Sequence, residues 1–285
     1  MERNPKTHKM LKEPIYLVPV DFTDEASSAV RLALDLAEAN DGSAYLLHVV
    51  SKSSEKVAAR QLFTDFLESY SEKELDLIST KVIEGDIFND IGKAGDILKA
   101  ALIVMGTHGA HGMQKVFGSR AVKLISSSAT PFLITQGKKE VEKINNIVMP
   151  FSFAKESIQI TNFVGAIAKK FNATIHLCGF HDNDEWLDAK TKSNQSVVRR
   201  ALDGMNVSYE IAHLPPSKSY DKDLVEFAKS IDADMFAAAY FKEGILPTPN
   251  TFIQGMIENE LNLPLLTVNA EELSVINSHY SFMTV

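Results

Sequence analysis

Ala101-Leu-Ile-Val-Met105 runs straight into Gly106-Thr-His-Gly109 and then, after eight residues from Ala110 to Phe117, into Gly118-Ser119. An unbroken apolar run that stops at glycine reads as a buried parallel strand. Its carboxyl end would open onto the kind of crevice in which open α/β sheets bind ligands. Backbone without a Cβ turns tightly and lets a phosphate approach its N–H groups. Gly118-Ser119 falls where the next helix should start, so free N–H groups, the helix dipole and the Ser119 hydroxyl would all favour an anion there. Gly-x-x-Gly by itself also punctuates ordinary strand-to-helix loops, so the weight rests on what surrounds it.

Working outward, Pro131-Phe-Leu-Ile-Thr135 reads as the strand that closes this unit. Upstream, Ile15-Tyr-Leu-Val-Pro-Val20 is a strand followed at once by Asp21, and Thr23 is set to cap a helix in which Ala26, Ala29, Val30, Ala33 and Ala37 keep helical spacing. Ala44 to Val50 is a second strand, a helix carries Val57, Leu62, Phe63, Phe66 and Leu67, and Leu77 to Ile83 is a third strand. A further helix then starts at Gly85-Asp86. Strand and helix alternate throughout, which makes a parallel, doubly wound sheet the economical topology.

The pattern then restarts. Ile147-Val-Met-Pro-Phe151 echoes Tyr16-Leu-Val-Pro-Val20, with Pro150 in the place of Pro19. Strands at Ala173 to Phe180, Val207 to His213, Met235 to Ala239 and Pro264 to Val268 follow, separated by helices, the first of them from about Ala154 to Phe171. The expected organisation is a tail over 1–14, a unit over 15–137, a charged linker over 138–145, a second unit over 146–269 and a tail over 270–285. In the second unit Ser152 stands for Asp21, Ala239 for Gly106 and Lys242 for Gly109, so one candidate site per chain is expected, in the first unit.

The chain has 285 residues, 45% hydrophobic and 23% charged, with a formal net charge of -8. That length suits two compact units, and the composition is that of an ordinary folded protein. The negative balance disfavours a binder of duplex nucleic acid, and no apolar run approaches the length of a membrane span. The one cysteine, Cys178, lies in an expected strand and reads as a small core residue. Residues Met1 to Glu13 are polar and basic, unlike a secretory leader, so a cytoplasmic protein is expected.

Taken together, Val18-Pro19-Val20-Asp21, Leu47-His48-Val49-Val50, Met105-Gly106-Thr107-His108-Gly109 and Gly118-Ser119 resemble the universal stress protein family in its tandem two-domain form. The resemblance implies an adenine nucleotide alpha hydrolase-like, Rossmann-like fold in two copies, joined through their last strands, Pro131 to Thr135 and Pro264 to Val268. Association into a homodimer is compatible with it. It further implies a site for ATP, or for ADP, AMP or cyclic AMP, with or without magnesium. Pro19 and Asp21 would meet the adenosine part, backbone at Val49 or Val50 would pair with the base, and Met105 would pack on it. Gly106, His108, Gly109, Gly118 and Ser119 would line the phosphates. The family's ATP-binding pattern spaces the second glycine and the Gly-Ser pair by nine residues; here there are eight, a difference that can move a phosphate donor out of reach or be absorbed by an earlier helix start.

Other chemistries find less support. His108 and His111 bring no carboxylate or cysteine at ligand spacing, there is no nucleophile elbow, and the Walker lysine pattern is missing. The expected function is nucleotide binding as a regulatory signal with little turnover. The rivals are a nucleotide-free scaffold and a slow ATP hydrolase or phosphotransfer protein.

Overall fold

The computed structural model describes residues 11–107, 117–137, 143–180, 184–214, 219–241 and 249–271. Its first half runs β1 (Ile15–Pro19), α1 (Asp24–Ala39), β2 (Ser43–Val50), a 3-10 turn (Ser53–Glu55), α2 (Lys56–Leu67), α3 (Glu72–Leu75), β3 (Ile78–Glu84), α4 (Ile87–Leu98), β4 (Leu102–Gly106), α5 (Phe117–Ile125) and β5 (Phe132–Thr135). The second half runs β6 (Asn146–Phe151), a 3-10 turn (Lys155–Ile158), α6 (Thr161–Phe171), β7 (Thr174–Gly179), α7 (Glu185–Met205), β8 (Tyr209–His213), α8 (Tyr220–Ser230), β9 (Met235–Tyr240), α9 (Pro249–Ile257) and β10 (Leu265–Asn269). The short helix α3 escapes a periodicity reading because one turn shows no period. Ser71 makes it locally, accepting from the Glu74 N–H while the Glu74 side chain reaches back to the Ser71 N–H.

All ten strands form one sheet in the order β3-β2-β1-β4-β5-β10-β9-β6-β7-β8. Each half therefore has its first strand in the middle, flanked by its second and fourth, and every pairing within a half is parallel. Chain direction around the sheet reverses between β1 and β4, and between β6 and β9. Such reversals leave a crevice at the carboxyl ends of the strands, because the following connections leave to opposite faces. Helices cover both faces: α1, α2, α6 and α7 contribute to one apolar core, and α4, α5, α8 and α9 to the other. The central strands are buried on both sides, which is why they read as continuous apolar runs.

The halves meet at an antiparallel pairing, the one such among the described strands, β5 on β10, with Leu133 opposite Leu266. Reciprocal polar contacts flank it. The Gln136 side-chain amide donates to the Asn259 carbonyl at 3.0 Å, and the Asn269 amide donates to the Ser126 carbonyl at 3.1 Å. Helix α5 packs on α9 beside them. Among the described residues no helix is long and apolar enough to cross a membrane.

One expected element is broken. The helix read from Ala154 starts instead as the 3-10 turn, and α6 begins only at Thr161. In the first half α1 starts directly after the β1 turn because its first residues rest on the bare Cα of Gly106. In the second half Ala239 stands at that place in β9, and the 3-10 turn Lys155–Ile158 precedes α6.

A buried histidine gives the second half a pH dependence. His176 bonds the Asn146 side-chain oxygen through Nε2 at 3.0 Å. Burial lowers its pKa from 6.5, and the Glu210 carboxylate, 3.6 Å from Nδ1, only partly offsets this. The unfolded chain then binds more protons than the folded one, so this group's contribution is full above pH 6.5 and is lost as pH falls toward the lower folded value. The urea midpoint is expected to drop between pH 7.5 and 5.5, and His176→Asn should shrink that drop. An equal drop in the variant would assign the effect to other groups.

Candidate functional site

At the carboxyl ends of β1, β2 and β4 a cavity of about 390 Å³ opens between the sheet and helices α4 and α5. That is within the roughly 300–1,000 Å³ of small-molecule sites. Its floor is Leu47, Val49, Met105 and Gly106; Ile87, Phe88 and Ile91 of α4 and Ala121 and Leu124 of α5 form an apolar wall; Asp21 stands at the rim. Among the described residues lining it, Asp21 is the only carboxylate, and neither lysine nor arginine takes part.

Asp21 is placed by a constrained turn. Phe22 adopts a positive φ of 65°, a left-handed conformation that costs a non-glycine residue about 1–2 kcal/mol. The turn is held by what surrounds it. The Phe22 ring packs on His48 at 4.7 Å and on Phe63 at 5.0 Å between centroids. One Asp21 oxygen, Oδ1, accepts from the Thr23 N–H at 3.2 Å and from the Thr23 hydroxyl at 2.6 Å. Thr23 in turn caps α1, accepting from the Ala26 N–H at 3.3 Å. The residue expected as a cap therefore also fixes the carboxylate, leaving Oδ2 toward solvent.

Gly106 ends β4 against α1. A Cβ built there would meet the Glu25 carbonyl oxygen at 2.1 Å and its carbon at 2.4 Å. The sequence reading gave this glycine to the phosphates. Its bare Cα is required first by the helix that presents Asp21. Thr107 continues the strand, its N–H donating to the Thr135 carbonyl at 2.7 Å.

The two candidates at the end of β2 separate cleanly. Strand alternation turns Val50 into the core, and its carbonyl accepts from the Gly85 N–H at 3.0 Å, so its backbone is engaged toward the end of β3. Val49 lines the cavity, and its backbone edge lies beyond the end of β1. Pro19, Asp21, Val49, Met105 and Gly106 thus come together. Gly118 and Ser119 lie in the first described turn of α5. His108, Gly109 and Lys242 lie outside the described residues.

Sequence reasoning missed the α4 wall. Its signal was present in Ile87, Phe88 and Ile91, apolar residues at helical spacing in the first turns of a helix that leaves from a strand's carboxyl end. Leu47 and His48 entered the sequence reading only within the motif Leu47-His48-Val49-Val50, with no role in the site, because a strand-end histidine carries no signature of its own.

The corresponding place in the second half encloses only about 30 Å³. Tyr220, in the first turn of α8, fills it. Its hydroxyl donates to the Cys178 carbonyl at 2.7 Å and its ring meets Phe180 edge-on at 4.7 Å. Burial pushes the Tyr220 pKa well above the ordinary phenol value and the Cys178 thiol up to about 12, so both stay neutral. Phe151, Phe241, Phe252 and Ile253 close the rest, and Ser152 is buried beside Ser157.

Comparison with known proteins places this geometry. The universal stress protein family model matches residues 15–136. A universal stress protein of Methanocaldococcus jannaschii is 26% identical over 140 residues, 44% of this chain and 82% of its own. The crystal structure of a universal stress protein from Archaeoglobus fulgidus superposes with a TM-score of 0.67 at 15% identity, covering 90% of this chain and 98% of that one. A functionally unknown protein from Pseudomonas aeruginosa superposes with a TM-score of 0.59 at 15% identity over 93% and 97%. At such identities the two structures share the fold.

Proposed function

We propose, from the match of residues 15–136 to the universal stress protein family model, that the N-terminal half of this chain binds ATP or a related adenine nucleotide as a conformational signal, with little turnover. The observation that supports this most is the contrast between a cavity of about 390 Å³ at Asp21 and one of about 30 Å³ at its counterpart Ser152. The group brings a planar base, a diol and a chain of anionic oxygens, and the described residues fit each part. Leu47 and Met105 offer apolar surface to the base, and the Val49 backbone edge offers a donor and an acceptor. Asp21 Oδ2 accepts from hydroxyl groups. The start of the described part of α5, with Gly118 and Ser119, would receive the phosphates.

Asp21 is the single carboxylate in the described lining, so we assign magnesium no ligand set of its own, and turnover is expected to stay near background. A ligand shifts a protein's conformation only by binding one state better than another. Here the phosphates would tie α5 to the end of β4, and α5 packs on α9 across the seam. We propose residues 15–137 and 146–269 as two domains of one tandem unit, with 138–145 as the link. We also propose a cytoplasmic location and self-association of two chains.

Protein purified without added nucleotide and then denatured by heat is expected to release an adenine nucleotide, identified by chromatography. A sample that releases none, and takes up none from millimolar ATP, would support the nucleotide-free scaffold instead.

A further inference from the structure

The two halves end the same ladder differently, and the difference comes down to one side chain. In β2 the odd-numbered residues turn their backbone toward β1, as the Leu47 carbonyl shows by accepting from the Val20 N–H at 2.9 Å. The even-numbered ones face β3, as the Val50 carbonyl shows with Gly85. The next rung of a parallel ladder would run from the Val49 N–H to the Val20 carbonyl. Among the described residues that rung is not made. The Val20 carbonyl lies 2.6 Å from Nδ1 of His48 instead. A carbonyl can only accept, so this nitrogen carries the proton and donates.

In the second half the rung is made: the Phe180 N–H donates to the Phe151 carbonyl at 2.9 Å. The registers fix the equivalence, since Pro19 faces Leu47 as Pro150 faces Cys178. Gly179 then stands where His48 does. With no side chain to occupy the carbonyl, the backbone closes on itself, and that half also lacks an open cavity.

We infer that His48 is a positioning residue for the nucleotide: by donating Nδ1–H to the Val20 carbonyl it withholds that acceptor from Val49 and leaves the Val49 N–H free for an acceptor nitrogen of the base. The Phe22 ring on one side and Phe63 on the other hold the imidazole in this role. Hence the cluster that props up the Asp21 turn also keeps the base-reading edge open. The inference rests on the nucleotide reading for its ligand, but its structural half stands without any.

Amide hydrogen exchange tests that half on the ligand-free full chain. The Val49 amide is expected to exchange at least about 100-fold faster than the Phe180 amide, and to slow by about tenfold or more in His48→Leu, where the rung can form. Equal protection of the two amides in the wild type, or no change at Val49 in the variant, overturns the inference whatever the protein binds. Calorimetry with adenosine tests the ligand half. His48→Leu should weaken binding about tenfold, the worth of one hydrogen bond. His48→Asn, which keeps a donor near the Nδ1 position, should stay within about threefold, a rescue that mere loss of packing would not give. Unchanged adenosine affinity in a folded His48→Leu also overturns it. Should the wild type bind no adenosine while the exchange pattern holds, the nucleotide reading fails and the ligand half of the inference falls with it.

Discussion

Gly106→Ala is expected to lower the melting temperature by roughly 6–12 °C, the shift that about 3 kcal/mol produces in a chain of this size. The Cβ would lie 2.1 Å from the Glu25 carbonyl oxygen, and what it strikes is backbone in the first turn of α1, not the swinging end of a side chain. Relief requires moving α1 away from β4. Since α1 is anchored by buried Ala26, Ala29, Val30 and Ala33, that movement loosens the core over the centre of the sheet. Thermal denaturation followed by circular dichroism reads the shift. Ala239→Gly is the control: the chain already carries a methyl at this matching position of β9, so removing it should cost no more than about 1 kcal/mol. A Gly106→Ala protein as stable as the wild type would mean that α1 and β4 are further apart than described.

The second large effect is on binding. Asp21→Ala should weaken ATP and AMP affinity by about 30-fold, the loss of a hydrogen bond to a charged acceptor. Stability should change little, because the carboxylate is exposed and its partners are confined to Thr23. Asp21→Asn isolates the charge: its oxygen can still accept from Thr23, so the turn is kept while the acceptor facing the ligand weakens, and an intermediate loss is expected. Equal affinities for all three proteins would remove Asp21 from the site.

How much of this was legible in the sequence follows from which interactions are local. Strand identity came from runs such as Leu-Ile-Val-Met, because a strand buried on both faces has no polar alternation to disguise it. The α1 cap was visible at Thr23, since capping uses residues three apart. The poverty of the second half was visible in Ser152 and Ala239. Three things were not visible, each decided by groups distant in sequence. Gly106 was given to phosphate, while the group it first accommodates is the carbonyl of Glu25, some eighty positions away. Val49 and Val50 could not be told apart until the positions of β1 and β3 fixed which way each backbone faced, Val50 toward Gly85 after β3 and Val49 beyond the end of β1. Tyr220 gave no sign that it would fill the second cavity, because nothing in its own helix shows that a hole lies beneath it.

The central claim is one adenine nucleotide per chain, held in the N-terminal half. Isothermal titration of ATP into nucleotide-stripped protein tests it most directly. A single site per chain, with affinity tighter than millimolar, is the expected result. Two sites per chain, or no heat with ATP, ADP, AMP or cyclic AMP at millimolar concentration, would contradict it.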